Sequence, residues 1–169
     1  MWVGGDSASM DGGGTLTVRA DEKVFIKGKM VIGFCGSFRL RDLIQYSFEI
    51  PKHARKVPVE EYMRTAFVNA LRKCFAEGGY TEKKDNVEEF SGNIIVAYRG
   101  RVFEVECDFN VCEPRLPFHA IGSGADAAFG SLFSTKKDQP KRRLTMALSA
   151  ASERNAGVKR PFTIIQAPR

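Results

Sequence analysis

The sequence predicts an α+β fold in which two β-sheets are stacked between two layers of helix. Strand-like and helix-like stretches come in runs: a strand-rich opening, two helices, a strand hairpin, two further helices and a closing strand. Segregated runs of this kind suit sheets flanked by helices better than a strictly alternating α/β sheet. The stretches around Val24 to Phe34 are apolar at consecutive positions, so the sheet they build is expected to be covered on both faces. At 169 residues the chain corresponds to one domain with a substantial core of its own.

The opening stretch, Trp2 to Lys23, organises the rest. A short apolar run reaches Gly4-Gly5 and Asp6, a Ser/Gly-rich loop follows, and Leu16-Thr17-Val18-Arg19 alternates as a strand before Asp21-Glu22-Lys23. Such a path can bring an acid and a lysine together. Paired glycines before an acid permit a sharp turn and let the carboxylate meet neighbouring N–H groups, although Gly-Gly-Asp alone is more often a plain turn.

Lys23–Ile26 and Met30–Phe34 read as two strands around a Lys27-Gly28-Lys29 turn. Gly33-Phe34-Cys35-Gly36-Ser37 then leads into a helix from Phe38 to about Tyr46; free N–H groups at such a junction can form an oxyanion or anion site. Pro58 opens the clearest helix, with Glu60 and Glu61 in its first turn, an apolar face through Tyr62, Met63, Phe67, Leu71 and Phe75, and Gly78-Gly79 as its stop. Thr81 to Glu89 reads as a charged loop, and Arg99-Gly100-Arg101 as the turn of a tight hairpin between Asn93–Tyr98 and Val102–Cys107. Phe118-His119-Ala120-Ile121 runs into Gly122-Ser123-Gly124 and a helix, Pro140 opens the last helix with Gly157 capping its end, and Phe162–Ile165 closes the chain as a strand.

Composition narrows the functional classes. With 43% hydrophobic and 27% charged residues the chain is not of disordered type, no apolar run approaches a membrane span, and the start lacks the layout of a signal peptide, so a cytoplasmic protein is expected. Four scattered cysteines without a C-x-x-C, and two histidines apart from them, argue against a metal site or a disulfide framework and for reduced, mostly core thiols, and no cofactor is expected. The net charge of +6 is densest in Lys136 to Arg143, yet Asp138 interrupts that run and no aromatic residues are interleaved. A solvated or subunit-facing helix surface is the better reading than nucleic-acid binding.

Gly4-Gly5-Asp6, Asp21-Glu22-Lys23, Gly33-Phe34-Cys35-Gly36-Ser37 before a helix, Ile121-Gly122-Ser123-Gly124 before another, and a last helix ending near Asn155-Ala156-Gly157 together resemble the proteasome β-subunit branch of the N-terminal-nucleophile hydrolases, including bacterial proteasome-like peptidases. The likeness covers nearly the whole chain and implies a four-layer αββα sandwich. It implies that Asp6 is the active-site aspartate, Lys23 the lysine beside the nucleophile, and Gly33 an oxyanion-hole glycine. Ser123 and Gly124 would order the nucleophile's amino terminus, and Asn155 replaces an aspartate found there in many members. The family nucleophile is a threonine, sometimes serine or cysteine, at the mature amino terminus, where its free amine is the general base.

By the family's spacing that residue is expected about ten residues before Met1, on a first strand this sequence does not contain. Ser7, Ser9 and Thr15 lack an adjacent free amine, and Cys35 shows no histidine partner. The expectation is therefore a peptidase acting on peptide or protein substrates, its nucleophile supplied upstream. The alternative is a catalytically inactive structural or ring-assembly subunit. The resemblance further implies a homo-oligomeric ring, with an ATPase partner an open matter. A binding module with an anion site at Gly33 or Ser123 is the third reading.

Overall fold

The computed structural model describes residues 1–168. Its centre is a five-stranded antiparallel sheet in the order β10 (Val111–Cys112), β9 (Arg101–Val105), β8 (Gly92–Tyr98), β5 (Met30–Gly36) and β4 (Val24–Lys27). Against one face of it lies a two-stranded sheet of β1 (Trp2–Gly5) and β11 (Thr163–Gln166), paired antiparallel with Val3 opposite Ile165 and Gly5 opposite Thr163. Small hairpins join β2 (Ala8–Met10) to β3 (Leu16–Val18) and β6 (Glu82–Lys84) to β7 (Val87–Glu89).

Alternation along the central strands divides the side chains between two cores. Ile32, Phe34, Ile94, Val96, Phe103 and Val105 point to one face, where they bury Leu40, Leu43, Leu71 and Phe75 from the helical layer of α1 (Phe38–Asp42), α2 (Val59–Tyr62) and α3 (Val68–Glu77). Wider π-type turns, Leu43–Ser47 and Met63–Phe67, continue α1 and join α2 to α3. Val24, Val31, Ile95 and Ala97 point to the other face and pack on Val3 and Ile165. A second helical layer, α4 (Ala125–Ser134) and α5 (Pro140–Arg154), covers the two-stranded sheet, with Leu144 and Leu148 against Gly4. The layer order is thus αββα, and the sheet covered on both faces is the one whose strands read as apolar throughout.

Three local expectations are corrected. Gly4-Gly5 do not turn the chain; both lie inside β1, where the absence of side chains lets it approach α5 and β4, since a Cβ on Gly5 would stand 2.8 Å from Val24 Cγ2. The Thr81–Glu89 stretch is a hairpin, turned by Asp85 and Asn86 at positive φ (50° and 68°). Asp and Asn tolerate that left-handed backbone, which is the signal a reading as loop overlooks. Gly157 does not cap α5: the C-cap is Asn155, in extended conformation, and its side-chain oxygen holds the Gly157 N–H at 2.8 Å.

Tyr62 is buried in the helical core, and its hydroxyl donates to the Pro51 carbonyl at 2.7 Å. Burial, with the neighbouring Tyr98, pushes its phenol up to about 12. A raised acid favours folding while it stays neutral, so this contribution is complete below pH about 10 and fades as the pH rises through the folded value. Denaturant titrations between pH 9 and 12 are expected to show an alkaline loss of stability that Tyr62→Phe reduces.

Candidate active site

The end of β1 delivers Asp6 into a tight turn, and the segment before β4 delivers Lys23 to the same place. Lys23 Nζ donates to Asp6 Oδ1 at 2.8 Å, with the two side chains only 16% and 11% exposed. The other carboxylate oxygen accepts backbone N–H bonds from Ala8 at 2.7 Å and Lys159 at 3.1 Å. Asp6 is thereby fixed by three partners, one of them far away in sequence. A lysine held this way presents a fixed positive charge and can share or pass a proton with a hydroxyl placed beside it.

Gly33 stands in the middle of β5, opposite Val24 on one side and Ile95 on the other, three residues before the strand-to-helix junction. It faces β1, and a Cβ there would lie 3.3 Å from Val24 Cγ2 and 3.4 Å from Val3 Cγ1. The junction glycine is Gly36, at φ 111°. At the start of α1 the Ser37 hydroxyl accepts the Arg39 N–H at 3.1 Å, so that donor is already taken.

Ser123 and Gly124 precede α4, and both line the same cavity as Asp6, Lys23 and Gly33. Gly124 is required by packing, since a Cβ would come within 2.9 Å of both Val158 Cγ2 and Ala151 Cβ. Asn155 joins Ser123 in a reciprocal pair: Asn155 Nδ2 donates to the Ser123 carbonyl at 2.9 Å, and the Ser123 hydroxyl donates to Asn155 Oδ1 at 3.3 Å. The side-chain amide does here what a carboxylate cannot, because one of the contacts needs a donor.

The cavity enclosed by these groups measures about 770 Å³ and runs between the five-stranded sheet and α4–α5. Val24, Ile95, Val102, Phe118, Leu132 and Leu144 make its walls largely apolar. β1, paired with β11 alone among the described residues, lines it, as does the segment Phe118–Ile121, whose N–H groups find no hydrogen-bond partner among the described residues.

Several side chains at the cavity escape a reading by motif. Arg143, expected with its basic neighbours on a solvated or subunit-facing surface, turns inward: it donates to the Leu132 carbonyl at 2.8 Å, sits over the Phe118 ring, and leaves its buried Nε without a partner. Glu104 is 9% exposed and bonded to both Asn93 and His119. The available signal was a charge at an inward-facing position of an apolar strand. Cys35 lines the cavity, but burial pushes its thiol up, and it has no hydrogen bond to His119 among the described residues. The Ser7 hydroxyl is committed to the Pro161 carbonyl at 2.7 Å. Cys107 is exposed, unlike the core thiols expected. Among the described residues no three His, Cys, Asp or Glu side chains are grouped as metal ligands, and no helix is long and apolar enough to cross a membrane.

No protein-family model matches the chain, and no curated protein sequence does. Solved structures do match. Thiobacillus denitrificans BPH in complex with epoxomicin superposes with a TM-score of 0.80 at 18% identity, over 99% of this chain and 93% of that one. The fold is that of the proteasome-like N-terminal-nucleophile hydrolases. Eukaryotic HslV from Trypanosoma brucei shares it with a TM-score of 0.63 at 18% identity, covering 97% of this chain and 91% of that one. The helical assembly of the Anbu complex from Pseudomonas aeruginosa gives a TM-score of 0.61 at 18% identity, over 97% of this chain and 75% of that one.

Two outcomes follow from this geometry. Asn155→Asp replaces the donor to the Ser123 carbonyl with a repelling carboxylate and is expected to lower stability by about 1 kcal/mol in urea denaturation. In native protein treated with iodoacetamide near pH 8, peptide mapping is expected to find Cys107 modified well before the cavity-facing, raised Cys35.

Proposed function

We propose that this chain is a proteasome-like peptidase subunit whose cavity holds an extended strand led by a hydroxyl residue with a free α-amine. The observation that carries the reading is the Lys23–Asp6 pair in a largely apolar cavity that is also lined by β1, paired with β11 alone, and by Phe118–Ile121, whose N–H groups have no partner among the described residues. Unsatisfied strand edges around an apolar space are completed by another strand. At 3.3 to 3.4 Å per residue, about four residues match the length of β1.

In that arrangement the leading hydroxyl lies beside Lys23, whose charge lowers its pKa while the strand's own amine takes its proton. Asp6 holds Lys23 in place, and Gly33 leaves the space in which a tetrahedral intermediate forms and offers backbone polarity to its oxyanion. Ser123, Gly124 and Asn155 shape the wall against which the amino terminus rests. Self-association belongs to the same reading: the Anbu neighbour forms a helical assembly, and a closed ring or a helix of this chain would confine the site. Substrates are peptides or proteins.

A second reading, an inactive subunit of the same fold, is supported by the commitment of the Ser7 hydroxyl to the Pro161 carbonyl and by a Cys35 thiol that meets no base among the described residues. Intact-mass measurement of the natural protein, identifying its leading residue, separates the two.

The chain extended ahead of Met1 by a Thr-led apolar strand, processed to expose the threonine, is expected to hydrolyse fluorogenic peptides. Lys23→Ala and Asp6→Asn are each expected to lower kcat/KM at least 100-fold, as loss of a charge acting on the nucleophile does. Equal cleavage by the variants overturns the assignment. Mass photometry of the same protein reads its assembly.

A further inference from the structure

The largely apolar cavity also carries the His119 side chain, which is bonded to Glu104, a buried acid outside the lining. Glu104 lies on β9 in the cross-strand row Gly33, Ile95, Glu104. Its Oε1 accepts from Asn93 Nδ2 at 2.7 Å and its Oε2 meets His119 Nε2 at 2.5 Å. Both carboxylate oxygens are therefore engaged, as a buried acid requires. His119 belongs to the segment Phe118–Ile121 and lines the cavity. With Nε2 committed to Glu104, its Nδ1 has no hydrogen-bond partner among the described residues. No step assigned to the site so far uses this cluster.

We infer that the Asn93–Glu104–His119 cluster is a specificity contact selecting a hydroxyl side chain, serine or threonine, on the strand that fills the cavity. This rests on the strand reading above. Antiparallel partners facing each other point their side chains to the same side, and Val3 and Gly5 of β1 face the five-stranded sheet. With the leading residue opposite Gly5, near Lys23, the first, third and fifth residues of an incoming antiparallel strand face that sheet too. An apolar residue beside His119 would displace water and leave Nδ1 unpaired, a loss on the order of tenfold in affinity. A hydroxyl answers Nδ1 in either state, because it both donates and accepts. A carboxylate or a lysine satisfies only one of those states and adds charge near Glu104.

The test uses synthetic heptapeptides beginning with threonine, apolar elsewhere and labelled with fluorescein at a carboxy-terminal lysine. Positions three and five are filled with valine or threonine, and binding to the 169-residue chain is followed by fluorescence anisotropy. The expected result is that threonine at one of the two positions binds about tenfold more tightly than the all-valine peptide. The double variant Glu104→Leu, His119→Leu removes both partners together, so neither is left buried without its hydrogen bond. It is expected to lose the preference or reverse it, while His119→Gln, which keeps a donor and an acceptor, retains it. Equal binding of valine and threonine peptides, or an unchanged preference in the double variant, overturns the inference and leaves the strand reading standing. Absence of saturable binding by every peptide overturns both.

Discussion

Asp6 ties together three segments that are distant along the chain: the exit from β1, the lysine before β4 and the backbone at Lys159 before β11. All of its carboxylate contacts come from donors, and the pair it forms with Lys23 is largely removed from water. A buried ion pair is weak as a source of net stability but severe in its demands, since removing one partner strands the other charge at a cost of about 3 to 5 kcal/mol. The consequence is geometric. The mouth of the cavity keeps one arrangement because any departure from it leaves a charge unpaired.

Around that fixed point the two sheets approach closely enough to leave a cleft instead of a filled core. The approach depends on small residues where layers meet: Gly5 and Gly33 between the sheets, Gly4 under α5, and Gly124 against Ala151 and Val158. Side chains at these positions would hold the layers apart or fill the space beside Lys23. The helical layer on the far face is packed more conventionally, by large residues such as Phe75, Phe67 and Leu71 with almost no exposure. Stability is thus concentrated on one side of the central sheet and the open space on the other.

Much of the candidate site was legible because the motifs that suggested it are local and their residues have few physical substitutes. Glycines at close approaches, an acid after a glycine pair and a lysine at a strand start can be found in order along the chain. The glycine pair was nevertheless misread as a turn, because freedom to turn and freedom to approach look alike in a sequence. The Asp85-Asn86 hairpin was passed over for a related reason: charged flanking residues masked a turn whose signature lies in two backbone angles.

The chain's own sequence determined the αββα layering, through runs of apolar strand and one-sided helices, and it determined that Asp6, Lys23 and Gly33 are candidates for a common site. Tertiary structure alone decided that Arg143 points inward, that Asn155 is bound reciprocally to Ser123, and that Glu104 meets His119 across the cavity wall. Periodicity reports which face of an element a residue occupies, whereas these contacts depend on where separate elements stop relative to one another. That is set by the packing of whole layers, which no local pattern encodes.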